Sequence, residues 1–425
     1  VRDAPPAGVS ILSFEVTVTR AVLQPGNVNL VTTPIEIEVK RLEVEAALLN
    51  TINVPAGTYN SIDITFSNPE VTFRNDTGAS IAGCAVGAVC EIKPTVTAPV
   101  SYNGAPFPLT IAANTPVGLL VDINLSNIIS STLGVDFNAT GAVTLTNLPP
   151  VQGTGQIEEL EDLKGIVTAK DAANNQFTLQ LGSTGQSLTI SVDANTVFKD
   201  FDDLGCMTAN FACVAVGQAV EVDVRLLAGG ALLAKKVEAE DNDNEEELEG
   251  IITKINSPTQ FEMVLVDDFK NVPGLDIGQT IVVNLVGSLS FRIDDKGLPV
   301  VSTDFDQASD LLVGQKVEIE RKSAPTGTPP AVDTDRVKLK PVNLTATVQS
   351  KGTNQFTVTN LPSLFTTQGI TSLPVNVAAQ TKFEKVTDLN GLAVNDVVSM
   401  QVLIFKGPAG VPSGVYGVAR KVRKR

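Results

Sequence analysis

Val192-Asp193-Ala194-Asn195-Thr196-Val197-Phe198, followed by Val216-Gly217-Gln218-Ala219-Val220-Glu221-Val222, is the stretch from which the fold can be read. An Asp/Asn turn feeds a β-branched run that closes on an aromatic, and a glycine turn then feeds a second alternating strand. The pair recurs twice. Leu289-Ser290-Phe291 precedes Val313-Gly314-Gln315 and Val317-Glu318-Ile319, and Thr381-Lys382-Phe383 precedes Val394-Asn395-Asp396 and Val397-Val398-Ser399-Met400. Upstream of each lies a Gln-Phe step: Gln176-Phe177, Gln260-Phe261 and Gln355-Phe356. Further upstream are the openings Gly165-Ile166-Val167-Thr168, Gly250-Ile251-Ile252-Thr253 and Leu344-Thr345-Ala346-Thr347. Downstream are the closing strands Ala234-Lys235-Lys236-Val237, Asp335-Arg336-Val337-Lys338 and Ala419-Arg420-Lys421-Val422. Three copies of the same anchors in the same order make a tandem repeat.

Each copy reads as about five short strands joined by loops of variable length, which predicts a small, OB-like five-stranded β-barrel. The phenylalanines are expected to plug the barrel cores. The expected units are residues 158–240, 247–340 and 342–425. Residues 1–152 lack the anchors but alternate clearly at Phe14-Glu15-Val16-Thr17-Val18-Thr19 and Ser61-Ile62-Asp63-Ile64-Thr65-Phe66. With turns such as Val54-Pro55-Ala56-Gly57, they predict a β-sandwich closed by the linker Leu148-Pro149-Pro150. The whole chain is expected to be all-β.

Composition narrows the function. The 425 residues are 43% hydrophobic but only 5% aromatic, without Trp, so the cores must rest on Val, Ile, Leu and Ala. A net charge of −16 argues against nucleic acid, whose phosphates require a basic face. No run reaches the roughly 18 apolar residues of a membrane span. The sequence begins at Val1 without a signal-like segment, which suggests a processed, exported protein. Cys84 with Cys90 and Cys206 with Cys213 form two close pairs, expected to be local disulfides and an oxidising compartment. Zinc is the rival reading, but there is no CxxC and no histidine.

The absence of histidine also removes the Ser-His-Asp and Cys-His arrangements. Gly78-Ala79-Ser80-Ile81-Ala82 lacks the last glycine of a nucleophile elbow, and Gly153-Thr154-Gly155-Gln156-Ile157-Glu158 lacks the third glycine of a dinucleotide loop. The expectation is a non-enzyme without a cofactor. A structural calcium is the one candidate, at Asp241, Asp243 and Glu245 in an acidic linker without EF-hand spacing. The plain reading of that linker is a solvated charged tether.

These residues resemble two bacterial families. Arg2-Asp3-Ala4-Pro5, the Phe14-to-Leu23 strand, Pro55-Ala56-Gly57-Thr58-Tyr59 and the Pro116-to-Asp122 strand make residues 1–152 similar to domain of unknown function 4382. The Gly-Ile-Val-Thr, Gln-Phe-Thr, Val-Asp-Ala-Asn-Thr-Val-Phe and Val-Gly-Gln-x-Val-Glu-Val motifs make the repeats similar to domain of unknown function 5666. The resemblance implies an exported, often surface-anchored protein and brings no catalytic residues. In the first family an apolar strand usually precedes Asp-Ala-Pro, and here only two residues do.

The five cations Arg420, Lys421, Arg423, Lys424 and Arg425 end a strongly acidic chain. The plain reading is a solvated strand face. The sharper one is a head-to-tail contact with an acidic surface of a second copy, joined by strand addition at the N-terminal domain. The expectation is therefore an extracellular or cell-surface structural protein, a subunit of a filament or layer whose partners are copies of itself. The alternative is a monomeric surface-anchored module that binds a polysaccharide or a partner protein.

Overall fold

The computed structural model describes residues 7–96, 99–182, 185–201, 204–240, 246–267, 272–407 and 414–425. The long antiparallel pair Val9–Gln24 and Ser61–Asn75 forms the spine of the N-terminal domain, because alternating apolar residues on both strands bury one face. Ile35–Glu38 and Val28–Asn29 flank it on one side, and Val89–Ile92 and Val100–Tyr102 on the other. The two ribbons Gly57–Tyr59 with Leu109–Ile111 and Gly118–Ile123 with Val143–Leu148 complete the domain, with the helical turn Leu125–Ile128. One core joins these layers, and Phe66 stacks on Phe137 with ring centroids 3.9 Å apart.

Each repeat follows one path, in which the first strand pairs with the second and fourth, and the third runs parallel to the fifth. In repeat 2 the strands are Glu246–Ser257, Gln260–Asp267, Thr280–Ile293, Lys316–Arg321 and Ala331–Lys340, closed into a barrel. In repeat 3 they are Val342–Lys351, Gln355–Thr359, Leu373–Glu384, Val397–Lys406 and Val415–Lys424, also closed. In repeat 1 the third strand is split into Ser187–Ser191 and Val197–Lys199, and Ser187–Ser191 meets the fifth strand through only two parallel pairs. The Val192-to-Thr196 turn that marked the repeat in sequence causes this interruption.

The repeated motifs are spent on building the barrel. Phe177, Phe261 and Phe356 are buried plugs, while the preceding glutamines point outward. Gln176 Nε2 donates across to Ser191 Oγ, Gln260 Nε2 to Asn284 Oδ1 and Gln355 Nε2 to Asn376 Oδ1, at 2.8–3.1 Å. Gly217, Gly314 and Asn395 have φ of 89°, 96° and 72°, a left-handed turn that glycine and asparagine tolerate best. Their N–H groups donate to the carbonyls of Val167, Ile252 and Val348 in the first strands. These bonds make Ala346, not Leu344, the counterpart of Gly165 and Gly250, so the opening anchor of repeat 3 lies two residues later than its sequence likeness suggested. A Cβ at Gly165 or Gly250 would press on the carbonyls of Gln180 or Val264, at 2.4 and 2.7 Å.

The units do not string out on linkers. The charged faces of the first, fourth and fifth strands of the three repeats meet one another. The segment Arg41–Glu45 of the N-terminal domain is inserted among them.

Candidate functional site

The junction follows from strand alternation. Glu221 and Glu318 occupy equivalent places in the fourth strands, one residue beyond the buried Val220 and Val317, so they point away from their barrels. Lys236, Arg336 and Lys421 do the same in the fifth strands. Packing those faces together buries the charges, which is tolerated only where each is paired.

Between repeats 1 and 2, Lys164 Nζ lies 2.9 Å from Glu249 Oε1, 2.8 Å from Glu318 Oε2 and 3.8 Å from Glu247 Oε2. Lys340 Nζ closes the same group, 2.7 Å from Asp294 Oδ2 and 3.4 Å from Glu318 Oε2. Reciprocally, Lys296 of repeat 2 reaches Glu221 of repeat 1 and lies 3.1 Å from Asp162 Oδ1. Between repeats 1 and 3, Arg420 Nη1 donates to Asp162 Oδ2 at 2.5 Å, and Lys382 pairs with Glu161 and with Glu159 at 2.8 Å. Repeats 2 and 3 meet through apolar packing of Leu403, Phe405 and Val418 into the core of repeat 2. Gln315 Nε2 also donates there to the Ile404 carbonyl at 2.8 Å.

The N-terminal domain pins the cluster. Arg41 Nε donates to Glu45 at 2.7 Å, and its Nη1 faces Asp267 of repeat 2 at 3.4 Å. Glu45 also accepts from Gln401 of repeat 3 at 2.6 Å, and Asn343 of repeat 3 donates to the Arg41 carbonyl at 2.9 Å. Ala46 and Leu48 then pack on the core of repeat 1. One short segment thus touches all three repeats.

Charge neutralisation sets the protonation states. Burial pushes Glu318 up, but Lys164, Lys340 and Lys338 outweigh it and hold the carboxyl down to about 2. Glu249, Asp162 and Asp294 are held low in the same way, against their burial, by the surrounding cations. Lys164, Lys296 and Lys340 are raised well above the ordinary lysine value by their carboxylates, which outweigh burial. Glu240 behaves oppositely. Burial, with Glu247 and Glu318 nearby, pushes it up to about 8.

The family described as Domain of unknown function (DUF5666) matches residues 164–238. That span is most of repeat 1, from the junction lysine Lys164 to the end of the barrel. No curated protein matches the chain. Among solved structures, one titled drosophila Unr CSD456 is similar at 10% identity, covering 62% of this chain and 97% of that one, with a TM-score of 0.13. A multidomain protein with nucleic acid binding domains from Streptococcus pneumoniae is similar at 12% identity, covering 60% and 71%, with a TM-score of 0.12.

The cysteines stand as the spacing suggested, with Cys84 bonded to Cys90 and Cys206 to Cys213 and none free. Asp241, Asp243 and Glu245 lie outside the described residues, as do residues 1–6. Among the described residues, Asp162, Glu221 and Asp223 bring carboxylates together, but Lys296 and Arg420 already occupy that space. Each of the five C-terminal cations has a carboxylate partner within the chain, while Arg425 stays exposed. Beyond Arg420, Lys421 Nζ pairs with Glu384 at 2.6 Å and Lys424 Nζ with Asp396 at 2.8 Å. Arg423 and Arg425 both face Asp122 of the N-terminal domain, at 3.3 and 3.6 Å. Opposite charges do meet, but within one chain.

Sequence reading missed Arg41 and Glu45 altogether. Their i, i+4 spacing in Lys40-Arg41-Leu42-Glu43-Val44-Glu45 was the available signal. Among the Asn-x-Ser/Thr triplets at Asn75, Asn124, Asn138 and Asn343, the Asn75 and Asn343 side chains are used internally, as donors to the Cys84 and Arg41 carbonyls, while Asn138 is exposed.

Proposed function

We propose that this chain is a non-catalytic structural protein of the extracellular space, working as one rigid block of four locked units. The observation that carries the proposal is the self-neutralising junction. Its lysines and arginines are matched by carboxylates, some of their own unit and some of another, which leaves geometry rather than reactivity as its product. The repeat motifs point the same way, because Gln-Phe, Val-Gly-Gln and the closing strands are spent on the barrels and on the contacts between them. Two local disulfides suit an oxidising compartment. The outward residues of the second and third strands of repeat 1, Gln176, Thr178, Gln180, Ser187 and Thr189, include no cation or aromatic side chain to hold a nucleic acid. The pairing of a 4382-like domain with 5666-like repeats in an exported bacterial protein belongs to this proposal.

A filament or layer is the assembled form we propose. Electron microscopy and light scattering of the native material, together with cell fractionation, test the reading. Ordered assemblies in the extracellular fraction support it. Dispersed particles at high concentration, or a cytosolic protein with reduced cysteines, overturn it.

A further inference from the structure

Between the N-terminal sheet and repeats 1 and 2 lies a cleft of about 380 Å³. Its walls mix aliphatic and charged side chains, the aliphatic ones being Leu48 from the N-terminal domain, Leu163 and Leu188 from repeat 1, and Val272 and Leu275 from repeat 2. Glu36, Pro273 and Asp276 are exposed at its rim, so it opens to solvent.

One carboxylate is set into this wall, that of Glu15, 7% exposed. Its position in the sheet is unfavourable. Glu38, Glu15 and Glu70 stand directly opposite one another on three adjacent strands, a row of like charges that costs stability. The outer two are satisfied. Glu38 accepts from the backbone N–H groups of Phe14, Lys40 and Arg41 at 2.6–3.2 Å, and Glu70 pairs with Lys93 at 2.7 Å. Among the described residues no donor or cation contacts the Glu15 carboxylate. A buried acid without a partner among the described residues, set beside two others and facing an open cleft, is arranged for a cation from outside.

The kind of cation follows from the surroundings. A calcium ion requires six to eight oxygens. The carboxylates around Glu15 do not converge, the described group that does being Asp162, Glu221 and Asp223. The aliphatic side chains of the walls instead suit a hydrocarbon stem. We propose that the cleft binds an alkylammonium group, its nitrogen on the Glu15 carboxylate and its stem along the leucine and valine walls. A free amine and the lysine side chain of a peptide share this chemistry.

The charged groups around Glu15 are Glu36 and Glu38 of the neighbouring strand, Glu70 on the other side, Asp276 of repeat 2, and the paired Arg41 and Asp267. Burial first, and then Glu36, Glu38, Asp276 and Glu70, push Glu15 up to about 8. An arriving ammonium therefore displaces a proton near neutrality.

Calorimetry of the full chain with n-hexylamine tests this. Affinity is expected to tighten about tenfold from pH 6 to pH 7 and to level off above pH 8, with proton release seen as a buffer-dependent heat. Hexanol and hexanoate should not bind, and Glu15→Gln should lose about tenfold in affinity together with the pH dependence. Retained circular dichroism shows that the variant folds. Binding of hexylamine but not of an acetylated Ala-Lys-Ala peptide assigns the site to free amines, and the reverse assigns it to a partner's lysine. No binding of either, or equal binding by Glu15→Gln, overturns the proposal. This outcome is independent of whether the protein assembles.

Discussion

Replacing Lys164 by methionine removes one cation from the junction between repeats 1 and 2 while keeping its length and apolar stem. Its nitrogen lies within 3 Å of two carboxylates, and all three side chains are at most 8% exposed. At an effective dielectric of 20, each such contact is worth roughly 4–6 kcal/mol before desolvation is subtracted. Lys340 and Lys316 remain near Glu249, so the acids are not stripped of every counter-ion. The net cost expected for removing one partner of a buried ionic group is about 3–5 kcal/mol. It should fall on the junction rather than on the barrels, whose cores are untouched. Native-state hydrogen exchange therefore reads it best, as faster opening of Gln156–Asp171 and Glu246–Ser257, with Val342–Lys351 less affected. Adding Glu318→Gln, one acid neutralised for the one cation removed, should restore part of the loss, because Lys340 keeps Asp294 and Glu249 as partners. A loss under about 1 kcal/mol, or a double variant no better than the single one, would refute the reasoning.

Stability should pass through a maximum in mildly acidic solution. Glu318, Glu249, Asp162 and Asp294 have folded values below their unfolded ones, so their contribution is present above about pH 4.5 and lost as pH falls toward 2. Glu15 and Glu240 are raised to about 8, so the folded state binds the extra proton and stability declines as pH rises from about 4.5 to 8. Thermal midpoints across pH 3–9 check both limbs, and Glu240→Gln should flatten the alkaline one. Phe261→Ala should cost about 3–5 kcal/mol through the cavity it leaves, measured by urea unfolding followed by circular dichroism. Glu45→Ala should loosen repeat 3 from the N-terminal domain, and an unchanged scattering radius together with unchanged protection of Val342–Lys351 would count against the pin. Replacing Cys84 and Cys90 by serine should lower stability by about 2 kcal/mol, since a short loop is released in the unfolded chain.

The fold was legible because its signals are local. Alternation at Phe14–Thr19 and Leu188–Ser191, the turns at Gly217 and Gly314, and the threefold Gln-Phe step each act within a few residues or across one hairpin. The cysteine pairs were legible for the same reason. The register of repeat 3 was not, because Leu344-Thr345-Ala346-Thr347 imitates the motif in pattern while the bond from Asn395 to Val348 sets the true position.

The candidate sites were far less legible. Glu221, Glu318 and Lys421 read as the polar side of alternating strands, and alternation cannot say whether that side meets water or another barrel. Arg420 stood out in sequence as part of a basic end, yet its partner Asp162 lies 258 residues away. Glu15 looked like any outward residue of a strand. Only its place between Glu38 and Glu70 in the sheet, and the approach of two repeats, make it a buried acid with no partner among the described residues.

The sequence by itself determined the all-β class, the threefold repeat, the plugs and turns of each barrel, and the local cross-links. These depend on side-chain period and short-range bonds. Tertiary structure alone decided that the repeats gather around a charged centre and that the cationic end turns inward. A charge is stabilised by whatever lies within a few ångströms in space, and that neighbour is set by how domains pack, not by distance along the chain.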